Sequence, residues 1–209
     1  MGGSIAEINI DEQLFLMLNN LIDGIRLIRE QVEYKGSGNA FAKVNGLKSA
    51  NESINMNLAN YLVKVKGGLE AYDLYIEIGR LIEKVSQNLS AISYRLSLIF
   101  MRDKDLGDAL SLLLTRMIEI VIQQAMALSN AVKMLAISPS KVEEITRNVM
   151  KLEEDVDDIY RNSEVKVFEA NKDLIVTMLL KDVIDRIEDT ADLMREIAAD
   201  LNLVSYLRS

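Results

Sequence analysis

Proline interrupts this chain of 209 residues only once, at Pro139. Proline breaks a helix interior because it lacks an N–H and clashes with the preceding turn, so its near absence permits long unbroken helices. Almost every segment repeats apolar residues at spacings of three and four, the period of an amphipathic helix. Together these features predict an all-α protein with no strand.

The first helix is predicted from about Ile10 to Tyr34, with Asn9 as N-cap and Glu12 completing a capping box. Leu14, Met17, Leu18, Leu21, Ile25 and Ile28 form its buried stripe. Gly36-Ser37-Gly38 ends it. That glycine pair with Lys43 lacks the Walker spacing and a preceding strand, so it reads as a turn rather than a phosphate loop. The second helix spans about Ala40 to Lys66 and stops at Gly67-Gly68. The third spans about Ala71 to Met101, and Arg102–Gly107 is a charged connector. The fourth, about Asp108 to Ile137, is apolar nearly all round, as expected of a helix in a protein centre or a subunit interface. Its longest charge-free run, Ile120–Val132, falls short of the about 20 residues of a membrane span. Pro139 suits a first helical position, and Ser140 with Glu143 forms another capping box. The fifth helix runs to about Glu169, a break falls at Ala170-Asn171, and the sixth spans about Lys172 to Leu207.

Six long antiparallel helices thus divide into three and three, residues 1–104 and 105–209, packed as one compact unit. The halves align weakly. Sliding the fifth helix onto the second superimposes Leu152 on Leu47, Asp157 on Glu52 and Ile159 on Ile54. Sliding the sixth onto the third superimposes Ile184 on Ile82, Asp185 on Glu83 and Ala191 on Leu89.

Composition narrows the chemistry. Cysteine and histidine are both absent. That removes disulfides, thiolates, the commonest general base and the usual zinc ligands, and leaves oxygen donors for any metal. Charge is uneven: residues 1–104 carry 12 acids and 12 bases, so the net −8 lies wholly in residues 105–209, with 20 acids and 12 bases. No basic stripe for nucleic acid exists. The opening MGGSIAEINIDEQ lacks the basic and apolar regions of a secretory leader. The sequons Asn51-Glu52-Ser53 and Asn88-Leu89-Ser90 therefore carry no glycosylation signal.

Two acidic clusters stand out, LEEDVDD at 152–158 and DVIDRIEDTAD at 182–192. An acidic helix face is ordinarily a solvated one. At 100° per residue, Asp182, Asp185, Glu188, Asp189 and Asp192 share an arc of about 120° facing away from Val183, Ile187 and Met194. Lys181, Arg186 and Arg195 offer local ion pairs. Aspartate is nevertheless a poor choice inside a helix when solubility is all that is required, because its short side chain competes for backbone groups. Glu153 and Asp157, spaced i, i+4, border the apolar stripe of Leu152, Val156 and Ile159. If the fifth and sixth helices pack together, these two converge with Asp185, Glu188 and Asp192, and a multivalent cation would relieve their repulsion. Catalytic alternatives fare worse. Di-iron bundles need Glu-x-x-His pairs, triads need histidine, and glycosidase clefts need aromatic platforms where aromatics make up only 5%.

The run Leu152, Glu153, Asp155, Asp157, Ile159, followed by Asp185, Arg186, Glu188, Asp189, Ala191, Asp192, resembles the PhoU-like phosphate transport regulators. The resemblance implies a fold of two three-helix repeats and a non-enzymatic, cytoplasmic accessory protein acting with an inorganic phosphate transporter. A homo-oligomer through the apolar fourth helix is also expected, and the charge balance argues against a nucleic-acid partner. The resemblance also implies a surface carboxylate site for a divalent or trivalent metal (Fe, Mn, Mg, Ca or Zn), with Glu153, Asp157, Asp185, Glu188, Asp189 and Asp192 as ligands. The first repeat departs from the pattern, with Lys48, Ala50 and Glu52, then Glu83, Ser86 and Ser90, at the matching positions. Lys181 stands where an acid is expected. One metal cluster is therefore anticipated, not two. The alternative is a metal-free helical scaffold that dimerises and docks a basic partner on its acidic face.

Overall fold

A computed structural model describes residues 4–36, 38–102, 105–170 and 173–209. Among them lie six α-helices and no strand: α1 (Ile5–Glu33), α2 (Ala40–Val65), α3 (Tyr72–Arg102), α4 (Asp108–Ile137), α5 (Val142–Glu169) and α6 (Leu174–Leu207). Ser37 of the first turn, Asp103 and Lys104 of the connector, Asn171 of the last break and the expected start at Lys172 lie outside the described residues.

The helices form where the apolar spacing predicts, with two corrections at caps. Helix α1 starts a turn early, at Ile5. Ser4 and Glu7 form the capping box instead of Asn9 and Glu12: the Glu7 N–H donates to Ser4 Oγ at 3.3 Å and the Ser4 N–H to Glu7 Oε2 at 2.7 Å. Both sites satisfy the same four-residue pattern, and the upstream one adds a helical turn. The Ser140–Glu143 box does not form. Pro139–Lys141 is a short 3-10 turn, and α5 begins after Lys141 without a side-chain cap. At the other end of α1, Gly36 sits at φ 85°, and a Cβ there would lie 2.6 Å from Phe100 Cβ. Only glycine fits that turn.

Four helices make the centre. α1 packs on α4 and α3 on α6, while α2 lies against α1 and α3, and α5 against α4 and α6. One continuous apolar cluster runs through both sets of three. Helix α4 is long and apolar enough to cross a membrane by length and composition, contrary to the shorter estimate from its charge-free run. Its apolar sides are used inside the protein, against α1, α5 and α6. The face it leaves exposed mixes Leu112, Met126 and Ile137 with Arg116, Glu119, Gln123, Asn130 and Lys133.

Several polar groups in the core are tied down by hydrogen bonds, although Gln124 Oε1 and Asn202 Oδ1 are buried without one. Asn51 donates to Met17 O at 3.1 Å and to Ser86 Oγ at 2.8 Å, and accepts from Asn20 at 2.8 Å. Its burial also closes the Asn51 sequon to modification in the folded chain. Gln124 on α4 donates to Val149 O and Ala191 O, so one amide bridges three helices. The end of α6 is stapled by Arg208, whose guanidinium donates to both oxygens of Asp11 at 2.7 and 2.9 Å and to the Tyr75 hydroxyl.

Candidate functional site

Helix α6 runs in a trough between α3 and α5, so its acidic arc is not the open face that the helical wheel predicts. Only Asp189 is exposed; Asp182, Asp185, Glu188 and Asp192 are half-buried where the arc meets its neighbours. Val183, Ile187 and Met194 are buried on the opposite side, as expected. Glu153 and Asp157 are also half-buried and face α6 across the groove, whereas Asp155 and Asp158 are exposed.

The carboxylates fall into three groups along the groove. At its upper end, Asp182 pairs with Arg95 of α3 and with Arg186, which also donates to Asn88. Next, Lys181 places its ammonium between Asp185 and Glu164, with a 3.0 Å contact to Glu164. The Tyr160 hydroxyl donates to Asp185 Oδ1 at 2.9 Å. Burial opposes the charge on Lys181, but its hydrogen bonds to Asp185, Glu164 and Tyr160 outweigh this and hold it protonated. Burial pushes the Tyr160 hydroxyl up to about 12.

Glu153, Asp157, Glu188 and Asp192 form the third group. Arg195 pairs with Glu153 at 3.2 Å and with Asp192 at 3.5 Å, and Arg161 with Asp157 at 3.3 Å. The Glu153 side chain is only 13% exposed. Burial raises its pKa, a hydrogen bond shared with Asp192 and the charges of Asp157 and Asp192 add to the rise, and Arg195 opposes it. Glu188 is pushed up to about 7, by burial first and then by Asp192, Asp189, Asp157 and Asp185. Acids of α5 and α6 thus face one groove, with Arg195 between Glu153 and Asp192 and Glu188 in the field of its acidic neighbours.

That field is not a cage. Among the described residues, no group of three or more carboxylates is arranged to hold a metal ion. The donors are hard oxygens of the kind Ca²⁺, Mg²⁺ or Mn²⁺ prefer, and Glu188 is the charge a cation would relieve. As folded, however, the cations beside Glu153, Asp157 and Asp192 are Arg195 and Arg161. Tyr160, Glu164 and Arg161 were not among the residues singled out from sequence, whereas Arg195 was, as a local ion-pair partner. Arg161 and Arg195 stand one helical turn after the acids they serve, which is the available signal.

The first half provides an internal check on register. Asn55 of α2 donates to Glu83 of α3 at 2.6 Å. Asn55 aligns with Tyr160 and Glu83 with Asp185 under the same two slides that align the halves, and Tyr160 donates to Asp185. The two three-helix sets therefore share a cross-helix contact as well as an apolar pattern.

Two repeats of three helices, joined α1 to α4 and α3 to α6, define a PhoU-like bundle. The phosphate transport system regulatory protein PhoU from Streptococcus pneumoniae superposes with a TM-score of 0.78 at 12% identity, covering 95% of this chain and 94% of that one. A PhoU-like protein from Shewanella oneidensis MR-1 gives 0.73 at 18% identity, covering 95% and 99%. A PhoU-like phosphate regulatory protein from the same organism gives 0.68 at 15%, covering 93% and 98%. At these identities the likeness is one of fold. No protein-family model matches the sequence, and no curated protein matches it.

Proposed function

We propose that this protein is a non-catalytic accessory regulator of inorganic phosphate transport, acting in the cytoplasm on a membrane transporter. The observation that supports this reading is the end-to-end likeness to a phosphate transport regulatory protein, at TM-score 0.78 over 95% of the chain. The same reading assigns the α5–α6 groove as a carboxylate metal site. Glu153, Asp157, Glu188 and Asp192 would supply the inner oxygens, with Asp185 and Asp189 at its margins. The elevated pKa of Glu188 supports it, because a bound cation would neutralise the repulsion that now favours its protonation. Binding would require Arg195 and Arg161 to swing out, and both lie on the solvent side of the groove with side chains 48% and 68% exposed.

Metal content by elemental analysis, with calorimetric titration of Mn²⁺, Mg²⁺ and Ca²⁺, tests the site. Wild type is expected to bind and to gain thermal stability, and Glu188→Gln with Asp192→Asn to lose both. If wild type takes up no ion and its melting is unchanged by them, the metal assignment is wrong. The metal-free scaffold reading then stands, since the groove already carries its own cations. Phosphate uptake in cells lacking the protein tests the regulatory role: unchanged uptake and unchanged response to phosphate starvation would refute it.

A further inference from the structure

One stripe of α6 reads Leu174, Met178, Asp182, Asp185, Asp189, Asp192, at spacings of four, four, three, four and three; Leu174, Met178 and Asp189 are exposed, and Asp182, Asp185 and Asp192 are half-buried and ion-paired. These are the spacings with which one helix presents a continuous line to another lying along it. The stripe changes chemistry along its length: its first two turns are apolar and its last three acidic. Leu174 and Met178 are 74% and 63% exposed.

The apolar end is broader than one helix. The Arg102–Asp173 pair, at 3.6 Å, brings the end of α3 beside the start of α6, and Met101 at that end is 81% exposed. The Glu164–Lys181 and Tyr160–Asp185 contacts set the α5–α6 register. One turn further along α5 stands Phe168, 65% exposed. Ile175 completes the group. Several large exposed apolar side chains thus gather at this end of the bundle from three helices, and exposed apolar surface of that kind marks an interaction site. The acidic end is the groove described above, where acids outnumber the bases that serve them.

We propose that this face docks an amphipathic, basic helical segment of a partner protein. Its apolar residues would sit on Leu174, Met178, Met101 and Phe168, and its Lys or Arg residues would follow along Asp185, Asp189 and Asp192. From Leu174 to Asp192 the stripe is about 27 Å long at the helical rise. A second copy of this chain would bring acids against acids, and an anionic membrane would meet the same repulsion. A basic segment alone complements both ends. This inference shares Asp185, Asp189 and Asp192 with the metal reading but does not depend on it, and is tested in excess chelator.

The probe is a fluorescent synthetic helix of leucine and lysine at the same spacings, about 18 residues long, followed by anisotropy. A leucine–glutamate helix serves as control. Wild type is expected to bind the lysine helix and not the glutamate one. Leu174→Ser with Met178→Ser should weaken binding at least about tenfold through lost apolar burial, and Asp189→Lys about threefold at low salt. Both changes lie on exposed positions, so circular dichroism should show intact folding. Equal binding of the two peptides, or no effect of the double serine change, overturns the proposal. So does a wild-type dimer that the double change dissociates, because a second copy would then cover the patch. Co-flotation with phosphatidylglycerol vesicles, lost on the same change, also overturns it in favour of a membrane.

Discussion

The α2–α3 seam and the α5–α6 seam occupy equivalent places in the two halves and treat charge in opposite ways. In the first, Lys48 and Glu52 stand i, i+4 and pair at 2.9 Å. Their counterparts in the second are Glu153 and Asp157, two like charges. Asn51, buried and bonded to three groups, corresponds to Val156, buried and bonded to none. Gly79 lets α3 approach α2 so closely that a Cβ there would meet Asn55 Oδ1 at 2.4 Å. At the matching position of α6 stands Lys181, whose ammonium fills the groove. Ser86 and Ser90 correspond to Glu188 and Asp192, and Ser90 donates to Asn45 at 3.0 Å. The first seam settles its polar groups within the bundle. The second carries surplus carboxylates that borrowed Arg and Lys side chains only partly neutralise. A single fold can thus close one seam with its own polar network and leave surplus carboxylate in the other.

The sharpest way to break that contrast is at Asn51. Asn51→Ala removes three hydrogen bonds; the Ser86 hydroxyl keeps its bond to Ile82 O, while the Asn20 amide loses its Asn51 partner and a polar side chain at the centre of the seam is replaced by a void. An expected loss of about 2–4 kcal/mol follows from unsatisfied buried polar groups and the cavity. For a chain of this size that lowers Tm by roughly 5–15 °C. The matching change Val156→Ala in the second seam should cost about 1–2 kcal/mol, since it removes apolar volume and no hydrogen bond. Thermal melts of the two variants under one buffer check this. Equal losses would mean that Asn51 acts by volume alone and that the first seam owes nothing to its polar network.

Glu188→Gln sharpens the contrast from the other side. The group's ordinary value is 4.5 and the folded protein holds it near 7. The folded state therefore binds a proton more tightly than the unfolded chain. Stability from this group is fully present below about pH 4.5 and is lost as pH rises through 7. Replacing the carboxyl by a neutral amide should raise stability at pH 8 by less than about 1 kcal/mol, because half-exposure screens the repulsion, and change little at pH 4.5. Melting curves from pH 4.5 to 8 read the effect. A gain independent of pH would show that the repulsion assigned to the groove is absent.

The helices were legible from sequence because spacing in threes and fours survives any tertiary context. Their ends were legible wherever Gly67-Gly68 or Pro139 forced a stop. The Ser4 cap was missed because Ser4–Glu7 and Asn9–Glu12 satisfy the same pattern, and only competition between them decides. The acids of the groove were legible as two clusters, and so was the oddity of Lys181. What closes the groove was not. Tyr160, Glu164 and Arg95 reach it through the register between helices, which no single helix encodes. The outward arc was misjudged for the same reason: a wheel shows which side of α6 faces the core, but not that α3 and α5 rise on both flanks. Asn51, read from sequence only as part of a chance sequon, is the buried hub of its seam.

The smallest expected effect is the most direct test of how the halves differ. Lys48→Glu turns the Lys48–Glu52 pair into two like charges, as at Glu153 and Asp157. The pair is 27% and 39% exposed, so losing its attraction and gaining repulsion should cost only about 0.5–1 kcal/mol, less at high salt. Paired with Ser86→Glu and Ser90→Asp, it would give the first seam the surplus charge of the second. Those two changes require Asn51 and Asn45 to give up their serine partners. If surplus carboxylate on this scaffold is enough to recruit cations, the triple variant should gain stability from added Mn²⁺ or Ca²⁺ where wild-type α2–α3 shows none. A triple variant that folds, loses stability at low salt and recovers it with monovalent salt alone would show that charge density without the α5–α6 geometry recruits nothing specific.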